Sequence, residues 1–112
     1  MSKLEGKIEE YKAQAKELGL KVDDAALRGV TKACGPNIYK ADASKVSSAD
    51  KAEVARVRDN FIGKKLGITD TAKADAAIAK AIEVFGSSNR NKTRALFYYI
   101  CAEELGKIDM FK

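Results

Sequence analysis

Asn89–Ala102 reads NRNKTRALFYYICA, and its second part, Ala95 to Ala102, is the longest apolar run in the chain. Its first part is basic and polar: Arg90, Lys92 and Arg94 stand close together, and no acid lies between Glu83 and Glu103. A segment that is apolar on every side must be buried on every side, which predicts the central element of a core. LFYYI would also serve as a buried strand, and periodicity does not separate the two. The rest of the chain does. It offers no second strand to pair with, and a lone strand leaves its backbone groups without partners. Helix is the reading that follows.

Upstream, Lys3 to Leu18 carries Leu4, Ile8, Tyr11, Ala15 and Leu18 at helical spacing, with lysines and glutamates on the other face. Gly19 with Leu20 behind it is the pattern of a left-handed helix stop. Gly67 with Ile68 repeats it, and Gly106 follows Leu105, so three Leu-Gly pairs mark three helix ends. Asp23 or Asp24 suits the cap of a second helix running to about Ala33, which Gly35-Pro36 terminates. A short helical turn is predicted over Pro36 to Lys40, then a packed loop with Ile38, Tyr39 and Val46 pointing inward. Ser48 or Asp50 opens a third helix, with Asp50 and Glu53 spaced as a capping box and Val54, Val57, Phe61 and Ile62 facing the core. Thr69 or Asp70 caps a fourth, whose stripe is Ala74, Ile78, Ala81, Ile82 and Phe85. Ser87 or Ser88 is then the expected cap of the central helix. The predicted fold is an all-α, single-domain bundle over residues 1–112, of about five helices around the apolar helix 95–102.

Composition agrees with this. The chain has 112 residues, one proline and eight glycines, with 46% hydrophobic and 33% charged residues, which favours helix in an ordinary globular protein. No apolar stretch approaches the roughly 20 residues of a membrane span, and no export signal is visible, so a cytoplasmic setting without membrane contact is expected. In that setting Cys34 and Cys101 read as two buried thiols. There is no histidine. That removes Ser-His and Cys-His catalysis and the usual zinc sites, and with no glycine-rich phosphate loop or calcium-loop pattern neither cofactor nor metal is expected. No pair of carboxylates is placed as acid and base, so an enzyme is not indicated.

The stretches Gly35-Pro36-Asn37-Ile38-Tyr39 with Asp42 to Ser47, then Asn60-Phe61 with Lys64-Lys65-Leu66-Gly67, then Ser88 to Lys92 with Arg94-Ala95 and Phe97-Tyr98-Tyr99 occur together in this order. In that combination the chain resembles the small bacterial family called domain of unknown function 2853. The resemblance runs from about Leu27 to Leu105 and implies a compact helical bacterial protein. It implies no activity, ligand or catalytic residue.

One candidate surface remains. A helix N-terminus favours anions, yet the sequence puts Arg90, Lys92 and Arg94 where the central helix is expected to begin. One reading is an anion site, with Ser87, Ser88, Arg90, Lys92, Arg94 and open backbone N–H groups holding a phosphate-containing ligand or an acidic protein. The other is a brace, with Asp42, Asp50 or Glu53 packed against the arginines. Tyr39, Asp42, Tyr98 and Tyr99 form a candidate structural polar cluster, the tyrosines filling core and directing hydroxyls at acceptors such as Asp42. The charge of +5 suits an acidic partner but is equally a route to solubility. Lys64 and Lys65 extend the basic surface. The helix-Gly-helix outline from Gly63 offers too few basic side chains to read DNA. The functional expectation is a non-enzymatic binding or interaction module. A weak, sequence-independent nucleic-acid binder and a small histidine-free enzyme are the alternatives.

Overall fold

The computed structural model describes residues 3–40, 44–47, 49–89 and 91–112, with all their side chains except those of Pro36 and Asn37. The chain is all-α: α1 (Lys3–Glu17), α2 (Asp24–Cys34), α3 (Lys51–Arg56), α4 (Thr71–Phe85) and α5 (Arg94–Glu104). Short 3-10 turns at Gly35–Tyr39 and Ile108–Phe111 follow α2 and α5. α3 continues without a break into π-helical turns over Val57–Lys65.

α5 is the hub. It packs against α1, α2, α4, the π segment and the last 3-10 turn. Seven of its residues are buried, from Ala95 through Ala102 with Tyr98 excepted. Phe97 is the largest fully buried side chain, its ring stacked with Phe85 at 6.3 Å between centroids. Burying one such ring is worth about 1.5–3 kcal/mol, so the run supplies a large share of the core. Cys34 and Cys101 are buried and free, as expected.

The helix starts follow local chemistry. Asp23 accepts the Ala26 N–H at 3.0 Å, and Asp70 accepts those of Ala72 and Lys73 at 3.0 and 3.2 Å. Asp50 caps α3 through the Ala52 and Glu53 N–H groups. The reciprocal half of the predicted capping box is not what the Glu53 carboxylate does, because it turns to two arginines instead. The alternative cap, Ser48, lies outside the described residues.

The stops differ in a way the three Leu-Gly pairs did not announce. Gly19, at φ 75°, closes α1 with Gly19 N–H to Lys16 O and Leu20 N–H to Ala15 O, the paired bonds of a Schellman end. At Gly67, φ 72°, the closing bonds are wider: Leu66 N–H reaches back to Phe61 O, and Ile68 N–H reaches Ile62 O, one residue farther than Leu20 N–H reaches past Gly19. The wider π turns before it account for the change. They also account for the burial of Val57, Phe61, Ile62 and Leu66 together, since spacings of four and five residues line up on a helix wider than α.

The largest departure is at the start of α5. The helix begins at Arg94 with Thr93 as its cap, not at Ser87 or Ser88. Thr93 makes no side-chain capping bond. A segment from far upstream takes that role, with Arg94 N–H donating to Ser44 O at 2.7 Å and Val46 N–H donating to Lys92 O at 2.8 Å. Lys45 and Thr93 thereby form an isolated antiparallel bridge, and no strand is present among the described residues. Ile38 and Val46 point inward as predicted, but Tyr39 does not and is 46% exposed. No helix is long and apolar enough to cross a membrane among the described residues.

Candidate functional site

With α5 starting at Arg94, Ser87, Ser88 and Lys92 precede the helix instead of forming its first turns. Lys92 is buried at 3% exposure. Its amine donates to the Ser87 carbonyl at 3.2 Å and to that of Asn89, an arrangement that makes burial of the group tolerable. Asn89 completes this turn, its amide donating to Phe85 O at 3.1 Å and its Oδ1 accepting from Asn91 N–H at 2.8 Å. Ser87 therefore serves through its carbonyl, toward a lysine. Arg90 and Asp42 lie outside the described residues.

Arg94 goes the other way, onto the flank of the bundle. Its Nη2 lies 2.5 Å from Glu53 Oε1 and its Nη1 donates to the Tyr98 hydroxyl at 2.8 Å. The Tyr98 ring lies under the guanidinium at 5.5 Å and stacks on Phe61, with centroids 4.0 Å apart. Glu53 also receives Arg56 Nη2 at 2.9 Å. Burial alone would push the Glu53 carboxyl up, but the hydrogen bonds from Arg56 and Arg94 outweigh it and hold the group below the ordinary glutamate value. The Arg94–Glu53 pair is the geometry of the brace.

The tyrosines do not gather into one polar cluster. Tyr98 faces Arg94. Tyr99, next on the helix and so turned to another side, accepts the Asp23 backbone N–H at 2.8 Å and ties α5 to the cap of α2. Tyr39 stands at the surface.

A pocket of about 200 Å³ opens beside Arg94 and Tyr98, between α5, the end of α2 and the π segment. Its polar lining is Cys34, Asn60, Lys65, Arg94 and Tyr98, with Ala33 and Phe61 as apolar wall. The π turns deliver Asn60 and Lys65 to its mouth, both exposed, while Phe61 faces inward. Burial pushes the Cys34 thiol up to about 12, against a smaller opposing effect of the Arg94 charge. Burial likewise raises Tyr98, again opposed by Arg94. Near neutral pH both groups keep their protons. The pocket thus presents donors, and among its described lining residues there is no carboxylate. Among the described lining residues no base stands beside this protonated thiol and phenol. No cluster of metal-ligating side chains occurs among the described residues.

Sequence reasoning had Arg94 and pointed at Lys65, but it missed Asn60 and Cys34 as pocket residues. Asn60 carries no motif and stands at an unremarkable place in a helix whose local widening the sequence does not declare. The pocket nonetheless collects Asn60, Phe61, Lys65, Arg94 and Tyr98, all from the stretches that carry the family resemblance. No curated protein matches the chain. The family described as a protein of unknown function (DUF2853) matches residues 10–109, and the chain belongs to that family.

Proposed function

We propose that the protein is a non-enzymatic binding module whose pocket beside Arg94 takes an acidic group, either a carboxylate of an acidic protein or the phosphate of a ligand. The observation that carries this reading is the polar lining of Lys65, Asn60, Arg94 and Tyr98 with no carboxylate among the described lining residues, although the Arg94 guanidinium is itself paired with Glu53. Charge-assisted hydrogen bonds of this kind are about twice as strong as neutral ones, so a small pocket can hold an oxyanion. The basic surface expected near 88–94 is then used on its Arg94 side, extended by Lys65 and not by Lys92. The module is read as one domain over 1–112, and two buried free thiols in place of a disulfide support a cytoplasmic setting.

The test is titration of the protein with inorganic phosphate, pyrophosphate and an aspartate-rich peptide at low salt, followed by amide NMR shifts. Residues 60–65 and 94–98 should respond. Lys65→Gln and Asn60→Ala should each weaken binding at least fivefold without changing the melting temperature. No response to any of the three ligands would overturn the reading. Random RNA binding with a steep salt slope would replace it by the nucleic-acid alternative.

A further inference from the structure

Glycine past the first turn of a helix lowers its stability, so a structure that keeps one there usually has a reason in packing. Gly29 has such a reason: a Cβ built on it would lie 1.9 Å from the Phe111 carbonyl oxygen. Gly6 in α1 has none, for a Cβ there would meet nothing within 4 Å. What its bare backbone does instead is open the floor of a concavity of about 330 Å³, walled by Lys3, Lys7, Glu10 and Tyr39. Tyr39 is 46% exposed, whereas Tyr11 and Tyr99 are each 3% exposed. An adjoining concavity of about 290 Å³ shares Lys7 and Glu10 and runs on to Lys45, Asn91 and Thr93. Lys7 and Glu10 of α1 line both, and the two concavities together are called the cleft. One end offers an aromatic face beside naked backbone, the middle a carboxylate 3.4 Å from the Lys7 amine, and the other end Lys45 and neutral polar groups.

We propose that this cleft binds a nucleoside monophosphate. Each part of such a ligand meets the group it requires, in order along the cleft. The base stacks on Tyr39, with Gly6 leaving room for close approach to the helix backbone. The ribose hydroxyls donate to Glu10, an acceptor that a purely anionic ligand would leave opposed to its own charge. The phosphate lies between Lys7 and Lys45, which act as point charges, with Asn91 beside them. The cleft shares no lining residue with the pocket beside Arg94, so the two sites stand or fall separately.

The test is calorimetric titration of the full chain with AMP, GMP, CMP and UMP, and with adenosine, inorganic phosphate and a tyrosine-containing acidic peptide as comparisons. At least one nucleotide should bind saturably and at least tenfold more tightly than phosphate, adenosine or the peptide. Tyr39→Ala and Gly6→Leu should each weaken that binding at least tenfold. Gly6→Leu should also melt no lower than wild type, because leucine favours the helix and its Cβ meets nothing within 4 Å, so loss of binding is not loss of fold. Lys65→Gln should leave nucleotide binding unchanged. The proposal is overturned if no nucleotide exceeds phosphate, adenosine and the peptide, if binding survives either cleft substitution, or if Lys65→Gln abolishes it.

Discussion

Arg94 Nη2 lies 2.5 Å from Glu53 Oε1, joining the first turn of α5 to the first turn of α3 across 41 residues of chain. Both side chains are 11% exposed, and Glu53 holds Arg56 with its other oxygen. An ion pair this well covered stabilises less than its geometry suggests, because both charges leave water. Its rupture is another matter.

Arg94→Gln strands Glu53 with only the Arg56 contact, which is 60% exposed on the arginine side. The expected loss is about 2–3 kcal/mol, against less than about 1 kcal/mol for Arg56→Gln. The pH dependence follows from the same carboxylate. Its folded value lies below its unfolded one, so the stabilisation is complete above the unfolded value and disappears as pH falls through the folded one. Wild type should lose stability progressively below about pH 4.3, and Glu53→Gln should flatten that decline. Urea unfolding across pH 2.5–7 (roughly the range in which glutamates titrate) measures both. Equal losses for the two arginine variants would remove the pair from the stability account.

Lys92→Met keeps the length of the side chain and deletes the bonds to the Ser87 and Asn89 carbonyls. Leaving those acceptors unserved should cost about 1–3 kcal/mol. Hydrogen exchange should accelerate at Asn89 and Asn91, whose N–H groups close the same turn. Anion binding should not change. Lost phosphate binding at full stability would show instead that the lysine faces a ligand.

Three glycines should respond to alanine in three ways. Gly6→Ala, with open space around the new methyl, should add about 0.5–1 kcal/mol of stability. Gly67→Ala should remove about 1 kcal/mol, since φ 72° strains any L side chain. Gly29→Ala should cost more than about 1 kcal/mol, because Phe111 has to leave. Thermal melts of the three variants check the order, and a destabilised Gly6→Ala would contradict the open surface.

Cys34, with its thiol pushed up to about 12 by burial, should react with a thiol-specific disulfide reagent far more slowly than an unfolded cysteine near pH 8. Cys101, likewise raised to about 12, should react more slowly still because it is fully buried. Both should react promptly in urea. Rapid labelling of Cys34 in the native protein would mean that the pocket wall opens.

What the sequence disclosed was whatever a few neighbouring residues decide. Asp23, Asp50 and Asp70 each cap from two or three positions away, Gly19 stops its helix with its own neighbours, and the run from Ala95 is buried because it has no polar side to show. What it concealed was settled by distant partners. Ser87 and Ser88 have the chemistry of caps, but the Ser44 carbonyl takes the first N–H of α5, so the helix begins at Arg94. Lys92 looks like surface until carbonyls on its own turn enclose it. Glu53 looks like half of a capping box until Arg94 arrives from across the chain. The candidate pocket suffered most, because Asn60 and Lys65 reach it through π turns that share the composition of ordinary helix.

The bonds between residues 44–46 and 92–94 also bear on the order in which the molecule assembles. The first N–H of α5 finds its acceptor half a chain away, so that end of the helix gains its last support only after a long loop has closed. α2 and α4 carry their stops and caps locally, α1 carries its stop locally, and these helices can form early. The central helix, for all its apolar weight, is expected to nucleate from its middle and have its first turn fixed late. Val46→Pro, which deletes the N–H donated to Lys92 O, would then speed unfolding and leave the folding rate nearly untouched.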